Sequence, residues 1–301
     1  MKKILIYKGA GVCPQSVSSL IFSLQQEKYD QKYLISCVDK SIFSNDQWHK
    51  ETELLIFPGG RDIPYHHALR GRPNDSIRNF VLEGGKFLGI CAGGYYGSAV
   101  VEFELGHPLE VTGRRELQFF PGVASGPAYG PGKFCYYSLR GAQMATLSLS
   151  EPFPLCPFED LREFFDDCTA IPPQVYVSKY AFRRGGVNSF ENFPNLLGKI
   201  TAGMALSQSE VSAYYNGGCL FKSVEEYSSV SVIARYADIE GHPAAIVKCI
   251  VGDGQATLCG VHPEYSAYHA EVQDALENSL LLNLKAAEEK RRLLFRNILD
   301  V

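Results

Sequence analysis

The chain has 301 residues, 46% of them hydrophobic and 21% charged, with a formal net charge of -4, which is enough apolar material for one large core or two small ones. Its charges are interspersed, with no basic stripe of the kind a phosphate backbone demands, so nucleic acid is not an expected partner. No stretch approaches the roughly 20 apolar residues needed to span a bilayer, so no membrane partner is expected. The nine cysteines, odd in number and without a Cys-x-x-Cys pair, read as reduced and mostly buried thiols.

At the N-terminus Lys8 interrupts a short apolar run before the roughly 7–15 residues of a signal-peptide core could form. Residues 3–7 therefore read as a first strand, and the cytoplasm is the expected location. Further strands are predicted at 33–38, 54–57 and 86–90, alternating with helices at 16–26, opened by Ser16 as a cap, and at 74–82, stopped by Gly84-Gly85. This alternation predicts an α/β fold with a mostly parallel, doubly wound sheet, whose ligands sit at the carboxyl ends of the strands. The same rule points at Gly59, Gly60 and Cys91.

From 110 to about 216 the rhythm is lost in Pro-, Gly- and aromatic-rich passages, predicted as an irregular insertion that covers the sheet of a single domain, 1–301. Strands at 230–236, 244–251 and 256–261 follow, the last two joined as a hairpin at Gly252-Asp253-Gly254. A closing helix from about 268 to 297 carries Val272, Leu276 and Leu280 on one face, and Glu288 to Arg292 read as its solvated end.

Three motifs carry chemistry. An apolar strand runs into Gly89-Ile90-Cys91-Ala92-Gly93-Gly94 and a helix-compatible Tyr-Tyr-Gly-Ser-Ala-Val-Val, the form of a nucleophile elbow. In such a turn the nucleophile is strained and the −2 and +2 positions must be small; Gly89 and Gly93 meet that need, and the amides of the next helix favour a thiolate. At Gly260-Val261-His262-Pro263-Glu264 a strand end supplies an imidazole with a carboxylate two residues on, which can take a thiol proton and orient the base. Leu55-Ile56-Phe57-Pro58-Gly59-Gly60 ends another strand in two glycines, whose N–H groups, with that of Ala92, can form an oxyanion hole.

Together, Pro-Gly-Gly, Gly-x-Cys-x-Gly and His-Pro-Glu resemble the class I glutamine amidotransferases, which implies a flavodoxin-like fold and a Cys91, His262, Glu264 triad. Gly-Ile-Cys-Ala-Gly-Gly-Tyr-Tyr, the run 113–122 and Tyr214-Tyr215-Asn216-Gly217-Gly218 look like the amidotransferase-like N-terminal domain of eukaryotic-type biotin–protein ligases, in a stand-alone version. Asn216 is thereby implied at the rim of the site. Tyr95 stands where glutamine-using members carry a Gln that holds substrate, so it borders the expected substrate site and makes glutamine a poor expectation. The chain is too short to hold the ligase half as well, and Arg70-Gly71-Arg72 is not a biotinyl-adenylate loop, so biotin ligation by this chain alone is not expected.

The leading expectation is a cysteine-dependent amide hydrolase or amidotransferase acting on a small-molecule or peptide amide, with no cofactor and no metal. The alternative is a non-catalytic binding or regulatory module beside a separately encoded biotin ligase or other synthetase; a redox-thiol protein is a third reading. His66-His67 read as a solvated loop, Gly126–Lys133 fails the spacing of a phosphate loop, and Arg114, Arg115 and Glu116 read as surface ion pairs.

Overall fold

The computed structural model describes residues 1–150 and 210–301. In chain order the first half carries β1 (Lys3–Tyr7), α1 (Pro14–Gln26), β2 (Leu34–Val38), β3 (Thr52–Phe57), α2 (Asp62–Leu69), α3 (Arg72–Leu82), β4 (Lys86–Ile90) and α4 (Ala92–Tyr96). There follow β5 (Ser98–Phe103), β6 (Val111–Arg114), β7 (Phe120–Gly126), β8 (Gln143–Leu149), β9 (Glu210–Tyr215), β10 (Leu220–Phe221), β11 (Val230–Tyr236), β12 (Ala244–Val251) and β13 (Gly254–Cys259). The chain closes with α5 (Ala270–Ala275) and α6 (Asn278–Leu299).

The expected α/β character is present. β2, β1, β3, β4 and β13 lie side by side and parallel, in the 2-1-3-4 order typical of flavodoxin-like sheets. β12 returns antiparallel from β13 across the two-residue turn Gly252-Asp253, where Gly252 takes the positive φ that such a turn needs. Beyond it the sheet is mixed, running β10, β7, β5, β6, while β11, β8 and β9 branch from β12.

Several expectations are corrected. The described parts of the predicted insertion are only partly irregular: β6, β7, β8 and β9 are strands of the same sheet, with Gly113 inside β6 and Pro121 and Gly122 inside β7, while 127–142 runs through turns. The part of that insertion on 151–209 lies outside the described residues. α1 opens two residues before Ser16, at Pro14, with Cys13 in the cap position, because proline's fixed φ suits the first helical turn. Cys91 is followed by only five helical residues, and the Ser-Ala-Val-Val expected to be helical is strand β5, as its β-branched valines favour. His66 and His67 lie on a helix, α2. The terminal helix breaks at Leu276 and Glu277, both extended.

The parallel strands are apolar on both faces, and an aromatic cluster forms beneath their carboxyl ends. Tyr7 stacks on Phe57 at 4.7 Å and meets Tyr65 edge-on at 5.5 Å, and Tyr65 packs edge-on to Tyr96 at 5.7 Å. Such pairs are worth about 0.5–1.5 kcal/mol each beyond their burial. Among the described residues no helix is long and apolar enough to cross a membrane. Seven cysteines are described and all are free: four buried, Cys13 half-buried, Cys37 and Cys135 exposed.

Candidate functional site

The carboxyl ends of β3, β4 and β13 bring together the three sequence motifs. Cys91 leaves β4 with φ 50° and ψ −103°, a conformation that costs a non-glycine residue about 1–3 kcal/mol. Its N–H donates to the Cys259 carbonyl at 2.8 Å, tying the end of β4 to the end of β13. A Cβ on Gly89 would lie 2.4 Å from the Gly93 carbonyl oxygen, and one on Gly93 would lie 2.2 Å from that of Phe57. Any side chain at either position would push the turn apart. The short α4 gives the thiol a weaker dipole than a full helix would.

His262 follows β13, its N–H bonded to the Tyr214 carbonyl at 2.7 Å. Its imidazole interacts with Cys91 and is hydrogen-bonded to Glu264, with Nδ1 2.8 Å from Oε1. Tyr265 stands edge-on to the ring at 5.1 Å and stacks on Tyr214 at 4.7 Å. Burial alone pushes the imidazole towards neutrality, but the charges of Glu264 and Cys91, and hydrogen bonds to both, hold its pKa well above the ordinary histidine value.

Glu264 is fully buried. The Ser16 hydroxyl donates to its Oε1 at 2.9 Å while accepting the Gly59 N–H at 3.0 Å. Ser16 thus links the carboxylate to the Pro-Gly-Gly loop, a role the sequence reading missed by treating it as a helix cap. The Gly59 amide is consumed by this bond and is not free for an oxyanion. A Cβ on Gly59 would come within 2.6 Å of His262 Cε1; this close approach is what requires glycine there. Gly60 has φ +148° and faces Val12 across an isolated bridge. The bonds of that bridge come from the Cys13 and Arg61 amides, so the Gly60 N–H takes no part in it. Ala92 begins α4, where first-turn N–H groups lack intrahelical acceptors.

A second support was also illegible as a site. The Ser23 hydroxyl donates to the Glu264 carbonyl at 2.8 Å. Arg291, on α6, donates to the Pro263 carbonyl, to Glu288 at 2.7 and 3.0 Å, and to Gln26 Oε1 at 3.1 Å. Glu288 in turn accepts from the Ser266 hydroxyl at 2.7 Å and the Ala267 N–H at 3.2 Å. Glu288 and Arg291 are therefore buried, not solvated. Burial opposes the Glu288 carboxylate, but Arg291, Ser266 and Ala267 hold its pKa below the usual range. The helical spacing shows why both face inward: Leu284, Glu288, Arg291, Phe295 and Ile298 recur at intervals of one turn on the buried face of α6.

In front of Cys91 the surroundings change. The Asn216 carbonyl lies 3.8 Å from Cys91 Sγ, and Asn216 Nδ2 donates to the Ser138 carbonyl at 3.2 Å. Asn216 Oδ1 has no hydrogen-bond partner among the described residues. Asn216-Gly217-Gly218 is a turn, as expected, with Gly217 at φ +73°. Tyr95 is buried behind this turn, its hydroxyl donating to the Gly217 carbonyl at 3.1 Å and its ring edge-on to Phe103 at 5.6 Å. Arg115, expected at the surface, is buried and pairs with Asp62 at 2.6 Å. Glu116 accepts from the Gly71 N–H at 2.8 Å and from Asn74 at 2.7 Å.

This chain belongs to the biotin–protein ligase N-terminal family, described as "Biotin-protein ligase, N terminal", which matches residues 2–164 and 195–301. It is 32% identical over 286 residues to a biotin–protein ligase of Schizosaccharomyces pombe, where the match covers 93% of this chain and 36% of the ligase. It is 30% identical over 305 residues to an uncharacterized protein of Chlamydia muridarum, covering 100% of this chain and 96% of that protein. A ThuA-like protein of Bacteroides uniformis superposes with a TM-score of 0.42 at 11% identity, over 97% of this chain and 95% of the other.

Proposed function

We propose that this domain uses Cys91, His262 and Glu264 as a thiol acyl-transfer centre that hydrolyses an amide. The observation that carries the reading is the buried series in which His262, in electrostatic contact with Cys91, is hydrogen-bonded to Glu264 and Glu264 to Ser16. The Cys91 sulfur attacks the amide carbon, a C–S bond forms, and the carbonyl oxygen becomes an oxyanion near the Gly60 and Ala92 amides. His262 gives its proton to the leaving nitrogen as the C–N bond breaks. Water then attacks the thioester, returns a proton to His262, and the C–S bond breaks to release the acid. Positioned acid–base help of this kind contributes roughly 10²–10⁴-fold.

A second reading is a non-catalytic binding or regulatory module. Kinship with the N-terminal part of biotin–protein ligases favours it, as does Tyr95, whose hydroxyl is spent on Gly217 instead of reaching a substrate. In that reading a biotin ligase or another synthetase is the partner. Intact-protein mass spectrometry after brief exposure to a generic acylating probe, and to an electrophilic glutamine analogue, separates the two. The thiol reading predicts an adduct on Cys91 with the acylating probe that is lost in Cys91→Ala. Absence of any Cys91 adduct contradicts it and leaves the binding module.

A further inference from the structure

We propose that Arg61, held over Tyr136 and Tyr137 on the loop that packs against His262, selects acyl substrates that carry a carboxylate. The inference rests on the thiol reading above and deepens it by naming a substrate class. Arg61 directly follows Gly59-Gly60, and its N–H is fixed to the Gly11 carbonyl at 2.8 Å. It therefore rides on the loop that packs against His262. On the opposite side, Asn216 touches Cys91 with its carbonyl and bonds Ser138 with its side chain, which anchors the segment carrying Tyr136 and Tyr137. The Arg61 guanidinium joins these two sides, 5.7 Å from the centre of the Tyr136 ring and 5.6 Å from that of Tyr137.

Three features make this a recognition device in preference to a surface ornament. Arg61 is exposed and forms no ion pair among the described residues, so its charge is unspent. The nearest carboxylate in sequence, Asp62, is taken by Arg115 at 2.6 Å, and Glu104, the acid on the side of Tyr136, is buried, accepts the Gly132 N–H at 2.6 Å through one oxygen and makes no ion pair with Arg61. Tyr137 is 90% exposed and stands at φ +57°, a strained conformation for an aromatic residue that holds its ring beside the cation instead of in the core. Two aromatic faces orient the planar guanidinium and leave its N–H edge open for a bidentate carboxylate. A neutral acyl group would gain at most a weaker hydrogen bond from that edge, without the attraction between opposite charges.

The test compares alkylation of Cys91 by iodoacetate and by iodoacetamide, reagents of similar size that differ in charge; each forms an S–C bond and expels iodide. Rates are read by mass spectrometry at the Cys91 peptide and normalised to glutathione. The expected result is a preference for iodoacetate of about tenfold that falls with added salt, is lost in Arg61→Gln and is largely kept in Arg61→Lys. Equal preference in the protein and in Arg61→Gln overturns the inference while sparing the nucleophile. If neither reagent modifies Cys91, the thiol reading itself fails and the inference falls with it.

Discussion

Behind His262 and Glu264 most polar groups are buried and paired, with Glu264 Oε2 left without a partner among the described residues, whereas in front of Cys91 stand backbone carbonyls, aromatic faces and an exposed cation. Ser16, Ser23, Glu288 and Arg291 tie the His262–Glu264 segment to α1 and α6 through short bonds. Across the thiol, Arg61 has no acid and Asn216 Oδ1 no donor among the described residues. The difference separates two tasks. A base must be held within fractions of an ångström, which several buried hydrogen bonds converging on one segment achieve; a ligand must find hydrogen-bonding groups that it can reach.

The largest expected effect breaks the rear network. Arg291→Met leaves Glu288 buried without its cation and is expected to destabilise the fold by roughly 3–5 kcal/mol, measured by denaturant unfolding; a loss under about 1 kcal/mol would mean that the network is dispensable. Gly59→Ala is next. Its new methyl must displace the imidazole it would meet at 2.6 Å, and a misplacement of about 1 Å costs on the order of 10²-fold; the readout is the rate of Cys91 acylation in a variant that still unfolds cooperatively. Ser16→Ala strips a donor from Glu264 and an acceptor from Gly59, a loss of about 1–3 kcal/mol seen in the same unfolding measurement. The front is expected to tolerate change: Tyr137→Ala should shift stability by no more than about 0.5 kcal/mol while weakening the iodoacetate preference.

The same contrast governs what could be read from sequence. Strand ends with glycine pairs, a Gly-x-Cys-x-Gly turn and His-Pro-Glu announce themselves locally, and the strands leading to Gly59, Cys91 and His262 lie close to where the sequence pattern places them. The polar supports do not, because a buried Ser16 or Arg291 looks like a cap or a solvated end until α1 and α6 are packed together. The pattern of α6 held a clue, since Glu288 and Arg291 share the face of Leu284, Phe295 and Ile298. In the mixed half, β11 and β12 lie where the sequence places strands, but β6, β7, β8 and β9 were illegible because glycine and proline fall among their residues or they pair with distant segments, so pairing, not local pattern, defines them.

Whether Cys91, His262 and Glu264 act as one coupled unit is tested most directly by NMR titration of the His262 imidazole. A histidine whose folded pKa is raised stabilises the protein fully below its unfolded value, and that stability is lost as pH rises from about 6.5 through the folded pKa. With the three groups coupled, His262 is expected to titrate well above the ordinary histidine value, and Cys91→Ala and Glu264→Gln are each expected to bring that value down. Titration at or below the ordinary value of about 6.5, unchanged by either substitution, would contradict the coupling.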